Sequence, residues 1–143
     1  MKNSAQEPVS YRALFSLPVI VAALGYFVDV YDLLVFNIVR VPSLKDLGLN
    51  PEEVSSMGSK IYNWQQAGLL VGGILWGVLA DKRGRLSVLF GSIITYSIAN
   101  ILCGFVQSPD IYALLRFIAG VGLAGELGAG LTLVAEILPQ KLR

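Results

Sequence analysis

The chain has 143 residues, of which 55% are hydrophobic and only 15% charged, and its net charge is +1. A soluble domain of that length has no core large enough to hide so much apolar surface, so the composition points to a membrane protein. Near-neutral charge offers no basic face to nucleic acid, and the lack of histidine beside a lone cysteine, Cys103, excludes zinc sites, thiol pairs and histidine-based catalysis.

Any chemistry therefore falls to carboxylates and arginines, and no metal, cofactor or enzymatic activity is expected. Residues 1–12, MKNSAQEPVSYR, are polar and read as a cytoplasmic tail. The apolar run behind them, Ala13 to Val39, is too long and too acidic at its far end for a signal peptide and has no A-x-A site. It reads as a first membrane span, which Pro18 and Gly25 could bend.

The next stretch, VPSLKDLGLNPEEVSSMGSK, reads as an exposed loop, with a good helix start where Asn50 precedes Pro51, Glu52 and Glu53. Three more apolar runs of spanning length follow, near Ile61 to Ala80, Leu86 to Val106 and Ile111 to Leu138. The turns between them, DKRGR and QSPD, are short. Residues 13–143 are thus expected to form an all-α membrane protein of four transmembrane helices.

Basic residues set the orientation. Lys2, Arg12, Lys82, Arg83, Arg85, Lys141 and Arg143 fall on one side, and Arg40, Lys45 and Lys60 on the other. Both termini are expected in the cytoplasm of a multi-pass protein of the plasma membrane, the inner membrane of a bacterium. Tyr62, Trp64 and Tyr112 then belong to an outer aromatic belt, and Tyr11 and Trp76 to an inner one.

Asp29, Asp32, Arg116 and Glu126 lie inside the spans, where each costs roughly 2.5 to 3.5 kcal/mol near a helix centre. Such groups face a bundle interior or an aqueous cavity, and a functional role is the default, an ion pair that merely staples helices being the alternative. At about 1.5 Å of rise per residue, Asp32 sits about 9 Å outward of its span's midpoint and Arg116 about 12 Å outward of its own. The two are at nearly one level. Asp29 shares a helix face with Asp32, and Glu126 lies about 2 to 3 Å inward of the midpoint. A carboxylate beside an arginine stays ionised, and one left alone in low dielectric takes a proton, which is the requirement for coupling a solute to protons. Gln65, Gln66, Asn37 and Asn100 are the neutral groups best suited to hydrogen-bond a solute, or equally to join helices. Glycines crowd the second and fourth spans, where small residues let helix backbones approach closely.

The stretch GVLADKRGR, from Gly77 through Asp81, Lys82, Arg83 and Gly84 to Arg85, resembles the loop signature of the major facilitator superfamily, in the family's topological slot. The fourth span, with Arg116, its glycines, Glu136, Pro139 and Arg143, is similar to the second family signature. DVYD, from Asp29 to Asp32, is similar to the paired-aspartate motif of organic-acid symporters, and GEL at Gly125 to Leu127 is like the GGE or GGD of metabolite and phosphate symporters, with Ala124 departing from the first glycine.

The resemblance implies a twelve-helix fold of two six-helix halves with the solute bound between them. The four helices would be part of the N-terminal half, and the remaining helices of the same polypeptide would be partners. It implies Asp32 as proton acceptor with Arg116 beside it, Asp29 as a second proton or solute contact, and Glu126 as a solute or proton contact. Gly77, Asp81, Arg83, Gly84, Arg85, Glu136 and Arg143 would belong to the cytoplasmic network that gates one side. The implied function is proton-coupled uptake of a small organic acid or sugar by alternating access. Proton-exchange efflux is a second reading, and a four-helix membrane assembly or sensor subunit a third.

Overall fold

The computed structural model describes residues 17–137. They form four helices, α1 (Leu17–Asp46), α2 (Pro51–Arg83), α3 (Arg85–Cys103) and α4 (Pro109–Ile137), with no strand among the described residues. Helices are the expected answer for an apolar chain in lipid, because each satisfies its own backbone hydrogen bonds.

The long exposed loop expected after the first span shrinks to Leu47–Asn50. α1 runs on through Pro42, although that residue has no N–H to give to the helix ladder. Leu44, fully buried with Phe36, Val54, Ile61, Tyr112 and Ala113, anchors the extension. Gly48, at φ +84°, then reverses the chain. α2 starts where the sequence places its start: Pro51 is in the first turn, and the Glu53 carboxylate accepts the Asn50 backbone N–H at 2.9 Å.

The DKRGR turn is also tighter than its sequence suggests. Asp81, Lys82 and Arg83 remain helical, the two cations favourably placed at the C-terminus of α2, and Gly84 alone makes the turn. Its φ of +86° and ψ of +149° fall where essentially only glycine is at ease, at a cost of about 1 to 3 kcal/mol for other residues.

α4 is the centre of the bundle, packed against α2 on one side and α3 on the other. Lys60 meets Asp110, Gly68 meets Phe117 and Gly72 meets Val121, so α2 and α4 run parallel. The close approach depends on glycine. A Cβ on Gly72 would lie 2.7 Å from Val121 Cα, one on Gly122 2.6 Å from the Tyr96 backbone N, and those on Gly68 and Gly120 would strike the carbonyl oxygens of Phe117 and Gln65. Trp76 turns part of its ring inward: its Nε1 donates to the Val121 carbonyl at 2.7 Å, and its ring fills the space beside Gly125. An indole N–H inside an apolar bundle needs such a partner, which outweighs its preference for the interface.

The bundle is apolar outside and charged inside. Leu70, Ile74, Phe90, Ile94, Ile101 and Phe105 are exposed, while Asp29, Gln65 and Arg116 are buried. That inversion suits a hydrocarbon solvent. Among the described residues, α3 and the Pro109–Thr132 part of α4 are long and apolar enough to cross a membrane. α1 and α2 carry more polar groups along their lengths, Asp29, Asp32 and Arg40 in one and Asn63, Gln65 and Gln66 in the other.

Candidate functional site

Arg116 organises the interior. It leaves α4 only 7% exposed, and its guanidinium carbon stacks 4.0 Å above the centroid of the Phe36 ring. One nitrogen, Nη1, lies 3.7 Å from Asp32 Oδ2 and donates to Asn100 Oδ1 at 3.2 Å. Tyr112 packs edge-on against Phe36, ring centroids 6.2 Å apart. A guanidinium is suited to this setting because its planar face takes an aromatic ring while its edge keeps donors for carboxylates.

The two aspartates of α1 have different partners. Asp32 is the one paired with Arg116; Asp29, one turn further in and 4% exposed, lies with its carboxyl against that of Glu126 from α4. The shared helix face therefore splits into a carboxyl–guanidinium pair nearer the Asp46 end of α1 and a carboxyl–carboxyl pair nearer its Leu17 end. Tyr96 of α3 stands between them: its hydroxyl faces Asp32 and Asn100, with Asp29 also near. Asp32 Oδ2, Arg116 Nε, Tyr96 Oη and Glu126 Oε1 are buried with no hydrogen-bond partner among the described residues. Buried polar groups without partners are costly, and this many in one place marks a site with spare hydrogen-bonding capacity.

The neutral candidates separate. Gln65 is buried, with both amide atoms lacking a partner among the described residues. Gln66 is exposed and donates to the Tyr62 hydroxyl at 3.5 Å, and Asn37 is exposed and donates to Leu33 O of its own helix at 3.0 Å. Gly77, Asp81, Arg83, Gly84 and Arg85, the residues expected to gate, gather at the C-terminal end of α2 and the start of α3, about 24 Å along α2 from Gln65 to Asp81. Arg85 is half-buried and engaged with a partner. Glu136 belongs to the last turn of α4 at that same end, but its side chain, like Arg143, lies outside the described residues.

Tyr96 and the aromatic pair are what the sequence reading missed. Tyr112, expected in the outer belt, is buried at 5% against Arg116. The available signal was Ser92, Tyr96 and Asn100, spaced four apart on α3, so that they form one polar stripe facing α4.

The profile of the Major Facilitator Superfamily matches residues 16–143. The chain belongs to the Major Facilitator Superfamily. Its members are membrane transporters rather than enzymes. A Haemophilus influenzae protein provisionally named for metabolite transport is 37% identical over 122 residues, 85% of this chain and 29% of that protein. A Bacillus subtilis protein provisionally named the niacin/nicotinamide transporter NiaP is 34% identical over 137 residues, 95% of this chain and 32% of its own. The gentisate transporter of Corynebacterium glutamicum is 30% identical over 113 residues, 79% and 24% of the respective chains. The chain thus spans between 24% and 32% of the length of these major facilitator relatives. No solved structure matches it.

Proposed function

We propose that the complete polypeptide is a secondary active transporter that carries a small organic acid inward together with a proton by alternating access. The observation behind this reading is the cluster of three carboxyl groups, buried Asp29 and half-buried Asp32 and Glu126, around the single buried guanidinium of Arg116. With all three ionised, the cluster would hold two negative charges beyond its arginine, at several kcal/mol for each uncompensated ion. A proton on the Asp29–Glu126 contact removes one charge and turns the contact into a hydrogen bond.

The second charge is the one that couples. A solute carboxylate entering from between the halves competes with Asp32 for Arg116, and Asp32, losing its counter-ion, takes up a proton as the solute binds. Solute and proton then occupy the interior together with little net change in charge, which lets the bundle rearrange. Gln65, Gln66 and Asn37 are assigned as neutral solute contacts. Gly77, Asp81, Arg83, Gly84, Arg85, Glu136 and Arg143 are assigned to the inner gate. The remaining helices of the same polypeptide would supply the opposite wall. Niacin and gentisate, named for two of the relatives, are small aromatic acids, and a substrate of that class fits a site built on one arginine.

The test is accumulation of radiolabelled nicotinate, gentisate and benzoate by proteoliposomes of the full-length protein under an imposed inward pH gradient. Uptake of at least one above equilibrium, collapsing on addition of a protonophore, is expected. Uptake of all three that only equilibrates, whatever the gradient, would refute the coupling.

We also place the protein in the inner membrane of a bacterium with both ends of this segment in the cytoplasm. The basic asymmetry supports this orientation. In a Cys103→Ala background, an impermeant thiol reagent added to intact cells should modify Ser56→Cys, at the outer end of α2, and spare Ser4→Cys. The reverse pattern would invert the topology.

A further inference from the structure

At the outer ends of α1 and α2 an open groove of about 290 Å³ is lined by Asn37, Arg40, Ser59, Tyr62 and Asn63. Its lining contains one cation, two amides and two hydroxyls, and no carboxylate. Of the other charges at this end, Lys60 pairs with Asp110 at 2.7 Å and Glu53 caps α2, while Lys45, Asp46 and Glu52 lie outside the lining. Arg40 has no ion pair among the described residues, and its Nη1 makes one long hydrogen bond, 3.4 Å, to the Gly58 carbonyl. A half-buried guanidinium with donors to spare, ringed by neutral hydrogen-bonding groups, matches an anion and repels a cation.

We propose that this groove is an outer capture site for the carboxylate group of an incoming organic anion, with Arg40 as its charged contact. Arg40 lies eight residues outward of Asp32, about 12 Å along the same helix, so a carboxylate leaving it has Arg116 as its next cationic partner. The proposal rests on the organic-acid reading of the interior. A phospholipid headgroup offers the same anionic chemistry from the bilayer, and the test separates the two.

The test does not depend on transport or on topology. Full-length protein carrying Cys103→Ala and Asn63→Cys is placed in phosphatidylcholine nanodiscs, open to solvent on both faces, and labelled with a sulfonate or a trimethylammonium methanethiosulfonate. At low ionic strength one positive charge about 6 Å from the reactive sulfur changes the local concentration of each reagent about threefold, in opposite directions. The sulfonate-to-ammonium rate ratio should therefore exceed that at Ser56→Cys by about tenfold, fall to the Ser56 value when Arg40→Gln is added, and survive Arg40→Lys. Benzoate should slow labelling at position 63 with Arg40 present and not in the Arg40→Gln variant. A ratio indifferent to Arg40→Gln overturns the proposal. So does protection conferred by phosphatidylglycerol in the nanodisc and not by benzoate, which makes the groove a headgroup site. Charge selectivity and benzoate protection in a protein that fails to accumulate acids on a pH gradient would uphold the groove and count against the proton-coupled reading.

Discussion

Asp32→Asn is expected to abolish accumulation of solute on a pH gradient while leaving gradient-independent exchange measurable. The amide imitates the protonated acid in shape and charge but cannot release a proton, so the step that needs Asp32 neutral survives and the step that needs it ionised does not. Arg116 keeps its bond to Asn100 at 3.2 Å and its stack on Phe36 at 4.0 Å, so it stays positioned after losing its carboxylate at 3.7 Å. Uptake and counterflow measured on one proteoliposome preparation separate the two effects. Accumulation that persists in Asp32→Asn would transfer the acceptor role to the Asp29–Glu126 pair.

Gly120→Val should prevent the bundle from assembling. A Cβ at this position already strikes the Gln65 carbonyl and lies 3.1 Å from the Leu69 backbone N, and backbone cannot rotate aside as a side chain can. Overpacking typically costs about 1 to 3 kcal/mol, and a branched side chain forced between two helix backbones belongs at or above the top of that range. Because α2 and α4 form the main interface, parting them also removes the support of Gln65 and Arg116. The expected result is loss of the monodisperse species in detergent and a steep drop in folded yield. A variant with unaltered yield and melting temperature would show that the close approach is not required.

The number and order of the helices were legible because apolar length and short polar turns leave little choice in lipid. The depth of Asp32 and Arg116 was legible for a similar reason: helical rise converts sequence distance to height, and the structure brings the two side chains to 3.7 Å. Azimuth was harder. Asp29 and Asp32 are three positions apart, which placed both toward Arg116, yet the offset along the helix is enough for Asp29 to meet Glu126 instead. Helix ends were misjudged where tertiary contacts decide them: buried Leu44 carries α1 past Pro42, and one glycine at positive φ replaces a five-residue turn. Tyr112 and Trp76 show the limit of reading aromatics by depth alone, since each has an interior partner, Arg116 or the Val121 carbonyl, that composition does not reveal.

The central claim, that the interior carboxyl–arginine cluster couples proton movement to an organic acid, is tested most directly by following the proton itself. Proteoliposomes of the full-length protein, lightly buffered and without an imposed gradient, are mixed with nicotinate, gentisate or benzoate while a pH-sensitive dye reports the external medium. The account predicts that a transported acid alkalinises the medium in proportion to its uptake, and that Asp32→Asn abolishes this signal while solute exchange continues. Solute uptake with no accompanying proton movement in the unaltered protein, or an equal proton signal in Asp32→Asn, would contradict it.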